Sequence, residues 1–318
     1  MPKQPIPLTV IFCAFASAAY GQLALAPGPG QIEQSRQMAL PKPKLDLLAK
    51  PKATDAEIEN FDAGFDDAFG AQVILKENVI VKNFMAWTEV SGMFTNNVAL
   101  TRAGQLDDTF LASTFGLAYR KAVKPTIAFD ASLRVSLFRY NRFNELDFQS
   151  IDPSLSLTWT PEKLKNTAFY ARYGFNQLIS AASGDDFFNS HNLSVGVQKI
   201  WPIARTHAVI AGAQAQVSWA DPSANQRNEY SAYVGYHAGL TEKASADFNY
   251  RYAFFDYREV EGGRHDHNQG LSLSFRYALE EWLSVAATST WASNKSSVEV
   301  FDYEAFNIGG SLGLSAKF

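Results

Sequence analysis

Five histidines give this chain its most versatile side-chain chemistry: His191, His207, His237, His265 and His267. Imidazole titrates near neutral pH and ligates metals, so its neighbours decide what it does. Ser190-His191-Asn192 sets a hydroxyl, an imidazole and an amide in a row. In an extended strand, adjacent side chains point to opposite faces, so these three cannot act together on one substrate. His265-Asp266-His267, with Asp256, Glu259 and Glu261 close by, holds donors of the kind a divalent cation takes. A solvated polar loop accounts for the same residues, and it is the reading adopted. No nucleophile-plus-base spacing stands out elsewhere. The expectation is no catalysis, no metal and no cofactor.

A second set of groups is charged. Asp130, Arg134, Asp152, Arg172, Asp247, Arg251, Arg276 and Lys317 each sit inside a run that alternates apolar and polar, and Glu89 is a further member. Ile127, Phe129, Ala131, Leu133, Val135 and Leu137 oppose Asp130, Ser132, Arg134 and Ser136. Ala246, Phe248, Tyr250, Tyr252 and Phe254 oppose Asp247, Asn249 and Arg251. Period two is the mark of a strand with one apolar face. Counting from the turns, Arg134 and Asp152 fall at similar heights on neighbouring strands, as do Asp247 and Arg276. Each pair should meet across the ladder. Arg172 and Arg251 show no acidic neighbour, and in a hydrated interior they would favour anions.

The elements that position these groups read as strands over 86–99, 109–120, 125–140, 147–160, 167–180, 189–201, 206–219, 228–240, 243–257, 268–279, 281–292 and 305–318. Many hold ten or more alternating residues, longer than the usual ~5–6 and matched to a tilted membrane crossing. Connections after even-numbered strands are short, as at Lys121–Lys124 and Thr241–Glu242. Those after odd-numbered strands are long and polar, as at 256–268 and 292–304. Aromatics make up 14% of the chain, enough for girdles at two membrane interfaces.

The final stretch is the clearest. Phe306, Ile308, Gly310, Leu312, Leu314, Ala316 and Phe318 share one parity, against Asn307, Gly309, Ser311, Gly313, Ser315 and Lys317. A free strand of this kind would template aggregation, and closure with the first strand removes the edge. The alternation ending on Phe318, with Leu312 and Leu314, resembles the C-terminal signal of bacterial outer-membrane barrels. That resemblance implies recognition by the barrel-assembly machinery. Residues 90–100 with Gly116-Leu117-Ala118-Tyr119-Arg120 are similar to the opening hairpin of the type-2 β-barrel porins, where an Asn-rich strand end precedes the first outer loop.

The expected fold is therefore all-β: an antiparallel up-and-down transmembrane barrel of about twelve strands, with both termini periplasmic. Residues 1–21 read as a signal peptide, with Lys3 before the apolar Ile6–Ala19. Residues 22–80 read as a Pro/Lys-rich tether, with capping-box spacing at Thr54–Glu57 and a short helix near 55–65. Residues 81–318 are the barrel. Cys13 is the sole cysteine and falls in the signal segment, which excludes disulfides and thiol chemistry from the mature chain. A net charge of −4 carries no basic bias toward nucleic acid. The expected function is a channel for small hydrophilic solutes with weak anion preference, embedded among outer-membrane lipids. The competing reading is a non-conducting structural or adhesion barrel whose tether engages a periplasmic or cell-wall partner.

Overall fold

A computed structural model of the chain describes residues 83–318. The expected signal peptide, tether and helix at 55–65 lie outside the described residues. Twelve strands follow in order: β1 Phe84–Thr95, β2 Asp108–Lys124, β3 Ile127–Tyr140, β4 Phe148–Trp159, β5 Thr167–Ser180, β6 Asp186–Ala204, β7 His207–Asp221, β8 Arg227–Gly239, β9 Ala244–Tyr257, β10 Arg264–Ala278, β11 Leu283–Ser296 and β12 Tyr303–Lys317. Each pairs antiparallel with the next, and β12 pairs with β1 to close the barrel. Closure leaves no unpaired edge.

The alternation decides which face is which. Leu133, Leu155, Leu157, Leu193, Val195, Leu273, Phe275, Ile308 and Leu312 are exposed on one parity. Ser136, Ser156, Ser194, Ser272 and Asn307 are buried on the other. A water-soluble protein would reverse this arrangement. An apolar exterior over a polar interior is a surface made for hydrocarbon, because the closed ladder satisfies every strand's backbone groups without water.

Closure is finished by the last residue. The Phe84 N–H donates to the Phe318 carbonyl at 3.0 Å, and the Phe318 N–H donates to the Phe84 carbonyl at 3.0 Å. The two rings stack at 5.9 Å, and Phe84 also meets Tyr119 at 4.8 Å. Both ends of the barrel domain thus lie on the side of the short turns.

Connection lengths differ from expectation. β10 begins at Arg264 and β11 runs on through Ser296, so the joins shrink to 258–263 and 297–302. The polar residues expected in loops continue the ladder instead, for example His267 opposite Lys295 and Asp266 opposite Ser296. Gly262 and Gly263, with φ of 80° and 72°, make the sharp turn that lets β10 start early. The segment 96–107 is the longest connection, and the turn-end join 160–166 exceeds several on the loop side. Asn96 and Asn97 pin the first loop. Asn97 Nδ2 donates to the Thr101 and Glu304 carbonyls at 2.7 Å each, and the Phe306 N–H donates to Asn96 Oδ1 at 2.7 Å.

Candidate functional site: the barrel interior

The inward parity changes character along the barrel axis. At the loop end, β2 to β7 contribute an apolar cluster of Phe138, Tyr140, Phe148, Leu178 and Phe188, joined by Val98 of the first loop. Phe138 and Phe148 stack with centroids 4.5 Å apart. Leu178 is wholly buried. The opposite wall at the same end is ionic and aromatic. Arg264 donates from Nε to Asp266 Oδ1 at 3.0 Å and from Nη2 to Asp266 Oδ2 at 2.6 Å. Its guanidinium lies between Tyr257, at 4.0 Å, and Phe301, at 3.6 Å. Arg227 covers Phe255 at 4.3 Å. A planar, always-ionised cation stacks and forks in this way, and lysine could not replace it. Nearer the middle and the turn end, inward side chains such as Ser91, Thr114, Ser132, Asn192, Gln214, Ser245, Asp247, Ser284 and Ser311 are only partly buried.

The charges expected to line this interior lie on the inward parity of their strands, and their pairings partly differ from expectation. Arg134 Nε meets Asp152 Oδ2 at 3.3 Å, as the matching heights suggest. Asp152 also accepts from Ser150 Oγ at 3.0 Å and from the Asn176 amide. Asp130 meets Arg120 at 3.5 Å, directly opposite on β2. The expected Asp247–Arg276 pair does not form. Asp247 lies opposite Ser274, while Arg276 lies opposite Ser245, and one step of register separates the two inward positions. Asp247 instead accepts from His237 Nδ1 at 2.7 Å.

Arg251 is the second correction, because it is ion-paired with Glu229 on β8. Arg227 reaches the same carboxylate at 3.7 Å. Arg172 donates to Ser154 Oγ at 3.1 Å. Arg276 has no hydrogen bond or ion pair among the described residues, and Glu89 is the acid within its electrostatic reach. Lys317 is exposed at the turn end. Leu312, Leu314 and Phe318 are exposed on the outward parity.

Sequence reasoning missed Arg120, Arg227, Glu229, Arg264 and Asp266 as interior residues. Parity counting along β2 would have found Arg120. The same counting along β8 would have found Glu229, which lies within the expected strand 228–240, whereas Arg227, Arg264 and Asp266 sit where loops were expected and strand is found. The His265-Asp266-His267 run is strand, so it is not a solvated loop. Asp266 turns inward to Arg264, while the histidines turn outward. His267 Nδ1 lies 2.6 Å from the Tyr252 hydroxyl, and the His265 ring stacks on Phe254 at 5.7 Å. His191 and His207 make the same outward contact with Tyr173 and Tyr236, at 2.7 Å each. These rings extend the aromatic girdle.

No family model matches the chain, and no curated protein matches it. Among solved structures, an outer membrane channel from Pseudomonas putida F1 aligns over 77% of this chain and 100% of its own, with TM-score 0.53 and 9% identity. The translocator domain of the autotransporter NalP from Neisseria meningitidis aligns over 83% and 95%, with TM-score 0.40 and 10% identity, and carries no further weight. At such identity the likeness is one of fold. The closed twelve-strand fold and its apolar belt place this chain in the outer membrane.

Proposed function

We propose that the protein is an outer-membrane channel for small hydrophilic solutes, with its narrowest section at the loop end. The observation that supports it is the axial gradient of the interior. From the turn end to mid-barrel the inward groups are mostly small and polar. Several of them, such as Ser91, Thr114, Ser132, Asp247 and Ser311, are partly reached by solvent, and others, such as Thr158, Gln198 and Ser274, are buried. The loop end instead holds the bulky buried Phe138–Phe148 and Arg264–Asp266 clusters. A twelve-strand barrel lies between the side-chain-filled eight-strand kind and the open sixteen-strand kind, so side chains set its bore. The shared fold with a protein described as an outer membrane channel agrees with this reading. A weak anion preference follows from Arg276 and Lys317, the inward cations held by no ion pair among the described residues. The short-turn side is the periplasmic one, residues 1–21 direct export, the barrel-assembly machinery inserts the chain, and no catalytic step is assigned.

Planar-bilayer recording of the full-length protein tests the proposal. Stepwise ion conductance is expected. Silence from both the full chain and a variant lacking residues 22–80 would overturn it.

One observation favours a second reading. The loop-end clusters are buried on both walls, as in a barrel that never opens. On that reading the chain is a structural or adhesion barrel, and residues 22–80 engage a periplasmic or cell-wall partner. Crosslinking from that segment in cells should then capture the partner, and an envelope unchanged by its deletion would count against the reading.

A further inference from the structure

One stretch of the inner wall carries two flat tyrosine rings close together. Across β5, β6 and β7, Tyr170, Gly196 and Gln214 stand in register. Across β8, β7 and β6, Tyr233, Gly212 and Gln198 stand in register. The two rows have the same composition and run in opposite directions. They are related by a local two-fold axis between β6 and β7.

In each row the tyrosine leans over the glycine toward the glutamine. The Tyr170 hydroxyl donates to Gln214 Oε1 at 3.0 Å, and the Tyr233 hydroxyl donates to Gln198 Oε1 at 2.6 Å. A Cβ on Gly196 would lie 2.5 Å from Tyr170 Cζ, and one on Gly212 would lie 2.6 Å from Tyr233 Cζ. The absent side chains therefore let both rings lie flat on the backbone with their other faces turned to the interior. Both tyrosines are only partly buried. Neighbouring strands are about 4.8 Å apart and two residues along a strand cover about 6.8 Å, so the two rings form a shelf spanning roughly 8 Å.

An amide row borders the shelf. Gln214 Nε2 donates to Gln216 Oε1 at 3.5 Å, Gln216 Nε2 to Asn192 Oδ1 at 3.3 Å, and Asn192 Nδ2 to Ser190 Oγ at 2.9 Å. Each amide has two donor hydrogens and two acceptor lone pairs, so these bonds leave capacity for a ligand's hydroxyls. Charge stays at the margins: Arg172 lies two residues from Tyr170 along β5, and Arg251 lies opposite Tyr233 on β9.

From this geometry we propose that the β5–β8 wall is a binding site for neutral saccharides, which rests on the channel reading above. A pyranose ring presents a face of weakly positive C–H groups and a rim of hydroxyls. The negative face of a tyrosine ring complements the first. The amide row complements the second without requiring charge. Two like rows in opposite senses suit a chain of at least two sugar rings lying along the shelf.

The test uses full-length protein in detergent and in planar bilayers, with a neutral glucose oligosaccharide of six units as probe. Polyethylene glycol of similar mass and benzoate are the comparison solutes. Calorimetric binding of the oligosaccharide is expected, and benzoate and the glycol should not compete. Replacing both tyrosines by leucine should weaken binding about tenfold or more. The Tyr170→Phe/Tyr233→Phe variant keeps the ring faces and should stay within about threefold of the parent. Heat-modifiable migration confirms that each variant is folded. Should the leucine variant misfold, Gln214→Leu alone should still weaken binding. Ion current without saccharide binding would overturn the site and leave the channel intact. Saccharide binding without ion current would overturn the channel and leave the site intact. Benzoate binding at the same place, or equal saccharide binding by parent and leucine variant, would also overturn the site.

Discussion

Single inward residues divide by whether their partners survive their loss. Glu229 is buried, and Arg251 and Arg227 both neutralise it. Arg251→Gln leaves that carboxylate with one weaker partner, so a loss of about 1–3 kcal/mol is expected in a urea titration followed by tryptophan fluorescence in vesicles. Asn97→Ala removes two donors and an acceptor at a wholly buried site and should cost roughly 2 kcal/mol or more in the same assay. Selectivity should follow a different residue. Arg276 has no salt bridge among the described residues, so Arg276→Gln should reduce anion preference in reversal-potential measurements more than Arg251→Gln. The difference should be largest at low salt, where screening is weak. Equal effects would place the field elsewhere. Identities of inward groups were legible from parity alone, because one residue of alternation settles one face. Their partners were not. Asp247 and Arg276 match in height when counted from the turns, yet register places them one inward position apart, and a one-pair shift cannot be read from a single strand.

Elements were legible almost to their ends in the middle of the membrane and least so at the loop side. Strong alternation over 127–140 and 167–180 marks β3 and β5 because outward residues are selected for hydrocarbon. At the start of β10 the pattern is Arg-His-Asp-His, which reads as loop by polarity although it forms ladder in the structure. Beyond the bilayer, outward positions need not be apolar, and the strand signal disappears while the hydrogen bonds continue. The closing element depends on its terminal residue. We propose that Phe318 is both the seam's last rung and the assembly signal. Phe318→Ser should lower the amount of heat-modifiable barrel in outer-membrane fractions, and wild-type levels would show that the terminus has no such role. On β2, Gly116 makes room for the indole of Trp87, which a Cβ at that position would overlap. Gly116→Ala should therefore push that ring into the interior and reduce conductance.

For the whole molecule, one closed sheet separates lipid from a largely polar interior that carries buried side-chain clusters at the loop end. The same twelve strands could serve a conducting or a sealed barrel. What separates the two is the loop-end packing, which no single strand's pattern reveals because it depends on side chains from several neighbouring strands and the first loop packing together. Conductance of the Phe138→Ala/Phe148→Ala variant, recorded beside the parent protein, tests the channel claim most directly. Removing both rings from the stacked pair should enlarge the unitary conductance while the charged mid-barrel keeps its ion preference. Two silent proteins, or two with the same conductance, would contradict a pore limited at the loop end.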